Sequence, residues 1–150
     1  MPKRAHTPGD CSWSDSPGRL IGMLGHYMRR GLDHQLSQCG DATSAHFIIL
    51  MILSNERNVT AADLAKRLGQ DAGAMTRLID RMEARVFVRR ARREDDRRRV
   101  CIELTPQGRK LIPDLERAGM NVVNRAMRDF SATEQRQLTG FLKRMIENVR

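Results

Sequence analysis

Between Met75 and Leu104 the spacing of apolar residues changes, and that change limits the fold more than any other feature of the chain. Met75, Leu78, Ile79 and Met82 recur at steps of three, one and three, which describes a helix with one buried face. Val100, Ile102 and Leu104 instead alternate with Cys101 and Glu103, and Val86-Phe87-Val88 is a second short run of strand formers. The segment therefore reads as a helix followed at once by a β-hairpin. Its connecting loop lies within "RRARREDDRRRV" and is dense in charge. Residues 85–99 hold eight Arg and three acids, so 8 − 3 = +5 of the net +9 falls in this one place. The positive charge is a patch, which favours a polyanionic partner, either nucleic acid or an anionic membrane face.

The rest of the chain follows a helical period. Residues 1–18, "MPKRAHTPGDCSWSDSPG", mix Pro, Gly, Ser and charge and read as a flexible N-terminal arm, with Trp13 placed to dock on the body. Leu20, Leu24, Tyr27/Met28, Leu32 and Leu36 predict a first helix over about 18–38. The run Phe47–Leu53, apolar on all sides, predicts a second helix over about 43–55 that is buried all round. Thr60 caps a third, with Ala61, Leu64, Ala65 and Leu68 inward. After a turn at Leu68-Gly69-Gln70, Asp71 caps a fourth helix over about 71–85. Its outer face carries Ala72, Gly73, Thr76, Arg77, Asp80 and Arg81. Thr105-Pro106 starts a fifth helix reaching about Phe130, and the box Ser131–Glu134 starts a sixth. The fold class is mainly α with a small β-hairpin (α+β), and residues 19–150 form one domain.

Several functions are excluded at this level. No stretch reaches the ~18 apolar residues of a membrane span, and the N-terminus lacks the apolar run of a secretion signal. Cys11, Cys39 and Cys101 are odd in number and lack a CxxC pair, so a reduced, cytoplasmic chain is expected. His26, His34, Cys39 and His46 lack a diagnostic ligand spacing, so no metal and no cofactor are expected. A nucleophile with a positioned base and a phosphate-binding Gly loop are both missing, so the chain does not read as an enzyme.

Two short helices joined by a Gly-containing turn and followed by a basic hairpin make a winged helix-turn-helix, here about 43–105. Such a unit suits double-stranded DNA, because a helix fits the major groove, where base edges carry a distinguishable pattern. The fourth helix would present its first turn, with Ala72 and Gly73, to phosphate. Thr76 and Arg77 lie one turn further on, and Arg81 a turn beyond them. The hairpin tip would enter the adjacent minor groove, whose negative potential attracts arginine. A winged-helix module binding an acidic protein, or a sequence-independent nucleic-acid chaperone, would share the basic hairpin.

The segments "TAADLAKRLGQDAGAMTRLIDRMEARVFVRR" (60–90) and "DRRRVCIELTPQG" (96–108) resemble the MarR family of bacterial transcription regulators. The most specific element is the pattern Asp96, Arg98, Leu104, Thr105, Gly108, and the helices on either side extend the likeness to nearly the whole chain. The resemblance implies a homodimer built from helices about 18–38 and 106–149, a pseudo-palindromic operator, and most often repression relieved by a small aromatic or phenolic effector. The unpartnered stripes of the first and last helices agree with a dimer. Arg98 matches the wing arginine that reaches the minor groove, and Asp96 the acid that pairs with arginine to hold the wing. Thr76 and Arg77 match the DNA side of the recognition helix. Arg92, Arg93 and Arg97 are additional charges, expected at phosphates.

For the effector, the resemblance points between the dimer helices and the winged helix. His26, Tyr27 and Arg30 of the first helix and His46 and Phe47 of the second are the candidates there. Trp13 with Asp63 is a further pair, as in the urate-responsive branch. A redox switch at a cysteine is the alternative, with Cys101 reading as outward-facing on a wing strand among arginines. One position departs from the family: Val86 stands where most relatives have Gly. A Gly there ends the helix at positive φ without a Cβ penalty. Valine implies either another geometry or strain.

Overall fold

The computed structural model describes residues 12–37, 42–92 and 99–149. A 3₁₀ turn, Trp13–Asp15, leads into α1, Pro17–Ser37. Helices α2 (Ser44–Asn55), α3 (Ala61–Leu68) and α4 (Ala72–Ala84) follow, then strands β1 (Val88–Arg92) and β2 (Val100–Leu104). Helices α5 (Pro106–Ala126) and α6 (Ala132–Val149) complete the chain. The strands pair antiparallel, from Val88↔Leu104 at the base to Arg92↔Val100 nearest the tip. Thr60 bridges to Cys101 on the far side of β2, and the Ile102 N–H donates to Val59 O at 2.8 Å. The hairpin thus has a short third lane that the sequence pattern did not suggest.

The core gathers one face from each of these elements except the 3₁₀ turn and α6. Leu36 of α1, Ile49 and Leu50 of α2, Leu64 of α3 and Met75, Ile79 and Met82 of α4 are fully buried with Val88 and Leu115. Burying each such side chain contributes roughly 1.5–3 kcal/mol. Local chemistry fixes the helix starts. Thr60 and Asp63 cap each other reciprocally at α3, Ser131 and Glu134 do so at α6, and Thr43 pairs with His46 at α2. Helix α2 is less enclosed than its apolar run predicts: Ile48 is exposed, and Met51 and Ile52 are half-buried. Trp13 is 79% exposed, so it does not dock on the body. Cys101, expected to face outward, is buried, because the Val59–Thr60 lane covers that side of β2.

Helices α3 and α4 end in the same way with different residues. Gly69 has φ 61, its N–H bonds Lys66 O, and the Gln70 N–H reaches Ala65 O. At α4, Val86 has φ 58, its N–H bonds Glu83 O at 2.8 Å, and the Phe87 N–H reaches Met82 O at 2.9 Å. Both are the paired-bond helix end that favours glycine at the left-handed residue. Valine there is the strained alternative, costing about 1–2 kcal/mol for its Cβ. The strain also explains why β1 starts at Val88 rather than at Val86.

Candidate nucleic-acid interface and effector cavity

Helix α4 buries Met75, Leu78, Ile79 and Met82 and leaves Ala72, Gly73, Thr76, Arg77 and Arg81 exposed. Five of the predicted DNA-facing residues therefore share the solvent side of one helix. The Thr76 hydroxyl donates to Ala72 O at 2.8 Å. At the helix start the Asp71 carboxylate accepts the Ala74 N–H at 2.8 Å, and that bond, with help from Gly73 and Arg77, holds its pKa below the usual carboxylate value. The helix end that the sequence offers to phosphate already carries an anion. Arg77, whose guanidinium lies by Gly73 and Asp71, supplies the positive charge on that turn.

The wing is tied to this helix by contacts that the sequence reading missed. Arg90 of β1 reaches Asp80 at 2.6 Å and also pairs with Glu83, and its backbone N–H donates to Glu83 at 2.8 Å. The hydrogen bond that Arg90 donates to Asp80 raises the Arg90 pKa further. Across the ladder, Arg89 holds Glu103 at 2.8 Å. The signal in the sequence was the Asp80/Glu83 step of three on α4, one helical turn, just before an arginine-bearing strand. Arg92 ends β1 exposed. Arg93, Asp96, Arg97 and Arg98, with Cys11 and Cys39, lie outside the described residues.

Behind the hinge, Thr105 performs three tasks. Its hydroxyl donates toward Val86 O at 2.5 Å, it accepts the Gly108 N–H at 3.0 Å as N-cap of α5, and its own N–H donates to Phe87 O. Gly108 packs so closely that a Cβ there would collide with the Phe87 carbonyl. The Leu-Thr-x-x-Gly part of the signature is therefore a clasp between the end of α4, the wing base and the start of α5. The threonine supplies the bonds, and the glycine allows the approach.

A cavity of about 1040 Å³ opens between α1, α2 and α5, with a mostly apolar wall. Met28, Leu32, Phe47, Ile48 and Met51 form much of it, and Arg29 and Glu116 stand among its polar groups. Phe47 packs against Gly119, where a Cβ would stand 2.9 Å from the ring. Of the residues named from sequence as ligand candidates, Phe47 lines this cavity. His26, Tyr27 and Arg30 are exposed on other faces of α1, Asp63 caps α3, and Trp13 stands in the leading 3₁₀ turn. His46 is 6% exposed and its Nδ1 bonds the Thr43 N–H, while its Nε2 has no hydrogen-bond partner. Burial, with Arg85 and Arg81 nearby, pushes its pKa below the ordinary histidine value. The residues of α1 that do reach the cavity, Gly25, Met28, Arg29 and Leu32, sit one or two positions from the predicted ones.

A helix-turn-helix with a clamped hairpin beside its second helix defines a winged-helix protein. Comparison with known proteins narrows the class. Residues 42–100 match the MarR family. The multiple antibiotic resistance protein MarR of Salmonella typhimurium is 30% identical over 130 residues, 86% of this chain and 90% of that relative. Among solved structures, a MarR transcriptional regulator from Methanosarcina mazei Go1 superposes with TM-score 0.79 at 29% identity, covering 87% of this chain and 94% of that one. A mutant of Escherichia coli MarR complexed with operator DNA gives TM-score 0.74 at 30% identity, over 85% of this chain and 91% of the other. The chain belongs to the MarR family and is a winged-helix transcription regulator rather than an enzyme. Among the described residues no helix is long and apolar enough to cross a membrane, and no cluster of three metal-ligating side chains occurs.

Proposed function

We propose that the chain is a homodimeric repressor. It binds a pseudo-palindromic operator through α4 and the Arg-rich wing (89–99), and a small aromatic or phenolic anion in the α1–α2–α5 cavity releases it. The observation that carries the reading is the solvent face of α4, which sets Thr76 and Arg77 beside a hairpin held at a fixed angle by Arg90. The solved likeness to an E. coli MarR mutant on operator DNA supports it. Dimerisation is supported by α6, which buries no residue and leaves Phe141, Met145 and Ile146 exposed, and by α1, which leaves Leu20 and Leu24 exposed. Two-fold pairing through these helices would set the two α4 helices about one DNA turn, ~34 Å, apart. Arg29 and the apolar wall give the cavity the charge and surface that an aromatic anion needs.

The decisive experiment is a binding titration with the duplex upstream of its own gene against random duplex at two salt concentrations. A repressor keeps a preference of about 10³-fold or more for its site. Equal affinity for both duplexes would remove the reading. Replacing Arg77 by Ala should cut operator affinity, and a smaller salt slope, by about one unit, would mark a phosphate contact rather than a base contact.

A further inference from the structure

A second cavity, of about 520 Å³, opens at the base of the wing between the C-terminal end of α2, the loop to Val59, strand β2 and the first turn of α5. The two acids in its lining are already neutralised. Glu56 accepts both Arg67 nitrogens at 2.6 and 2.8 Å, and Glu103 accepts two from Arg89 at 3.1 and 2.8 Å. That Arg67 bond lowers the Glu56 pKa, so the carboxylate stays ionised and engaged. The two cations of the lining, Arg57 and Arg109, have no carboxylate partner among the described residues.

The floor adds a backbone donor. Thr105 N–H bonds Phe87 O on the β1 side, whereas Ile102 N–H bonds Val59 O on the opposite side. Alternation along an antiparallel ladder turns the Leu104 N–H the same way as that of Ile102. The pairing lane that would meet it turns away at Asn58, whose φ is 64, and both Asn58 and Leu104 line the cavity. Two arginines and a strand residue with an outward N–H lining one hollow make a recognition set for an oxyanion.

The register places the hollow at the base of the wing. The ladder runs from Arg92↔Val100 at the tip side to Val88↔Leu104 at the base, so Ile102 and Leu104 in the lining stand two and four steps of ~3.3 Å, about 7 and 13 Å, from Val100. Its volume suits a small organic molecule rather than a duplex backbone. We propose that this cavity binds a small organic oxyanion, either a phosphate monoester or a carboxylate, with its charged group between Arg57 and Arg109. The site is separate from the effector cavity, with which it shares no lining residue.

Calorimetric titration of the full chain with butyl phosphate and with butyrate, non-aromatic anions outside the class proposed for the other cavity, at ionic strength matched with sodium chloride, tests the proposal. Saturable binding of one probe per chain is expected, and whichever probe binds tighter identifies the charged group. The Arg57→Gln, Arg109→Gln double variant should weaken that binding tenfold or more with an unchanged melting curve, while Arg29→Gln, in the other cavity, should leave it intact. Failure of both probes to saturate would overturn the proposal, as would equal loss in Arg29→Gln. So would a double variant that keeps probe affinity but loses one to two units of salt slope on duplex DNA, because the arginines would then be backbone contacts.

Discussion

The wing hinge and helix α6 stand at opposite ends of one scale. At the hinge, Val86, Phe87, Thr105 and Gly108 satisfy one another within a few ångströms, and even a strained valine is held in place. Helix α6 runs 18 residues and is capped by Ser131 and Glu134, yet it buries no residue: Phe141 is 52% exposed and Ile146 is 49% exposed. The hinge is complete inside one chain, whereas α6 presents an apolar face that no described residue of the chain covers. An apolar helical stripe left in water lacks the tertiary packing from which helices draw most of their stability. The difference separates structure that one chain specifies from structure that, in the proposed dimer, a second copy would complete.

The largest expected effect attacks the hinge. Gly108→Ala forces a methyl into the Phe87 carbonyl, and about 3 kcal/mol should be lost in urea unfolding, the upper part of the range for overpacking. A loss below ~0.5 kcal/mol would mean that the clasp gives way easily. The next tests α6 from the other side. Phe141→Asp with Ile146→Asp should leave the monomer fold unchanged by circular dichroism and raise the dimer dissociation constant about 100-fold, or ~2.7 kcal/mol, by sedimentation. If the sedimentation profile does not change, α6 is not the interface and the contrast between the two regions fails.

A smaller effect sharpens the hinge. Val86→Gly removes the Cβ penalty at φ 58 while adding glycine's unfolded-state entropy, so a net gain of about 1 kcal/mol is expected in thermal or urea unfolding. The smallest effect concerns pH. His46 has a folded pKa below its unfolded value, so its contribution is fully present above about 6.5, the unfolded value, and is lost as pH falls below that toward the folded pKa. His46→Gln keeps an N3 side chain able to cap α2 and should flatten this decline in melting temperature. A slope unchanged between wild type and variant would assign the acid sensitivity to another group.

Much of this was legible in the sequence, for reasons that particular residues make plain. The change of period after Met82 located the end of α4 and the hairpin, and Thr60, Asp71, Thr105 and Ser131 marked four helix starts as caps. The departure at Val86 could be read as either strain or a new geometry, and the helix end proves to be the strained one. What could not be read was three-dimensional company. Cys101 alternates out of the core but is covered by a two-residue lane from far upstream. Arg90 finds acids ten and seven residues behind it. The effector candidates on α1 were chosen by residue chemistry, whereas the cavity wall depends on the helix's rotation, which brings Met28, Arg29 and Leu32 round in place of Tyr27 and Arg30.

Thr105 gives the molecule a mechanical linkage. The same side chain starts α5, whose middle turns wall the larger cavity, and grips the carbonyls of Val86 and Phe87 where the wing begins. Helix α5 is therefore a crank with its handle in the cavity and its pin in the hinge. A roll or slide of that helix would pull on the wing's root through one side chain, besides acting on the core through Leu115 and Ala118.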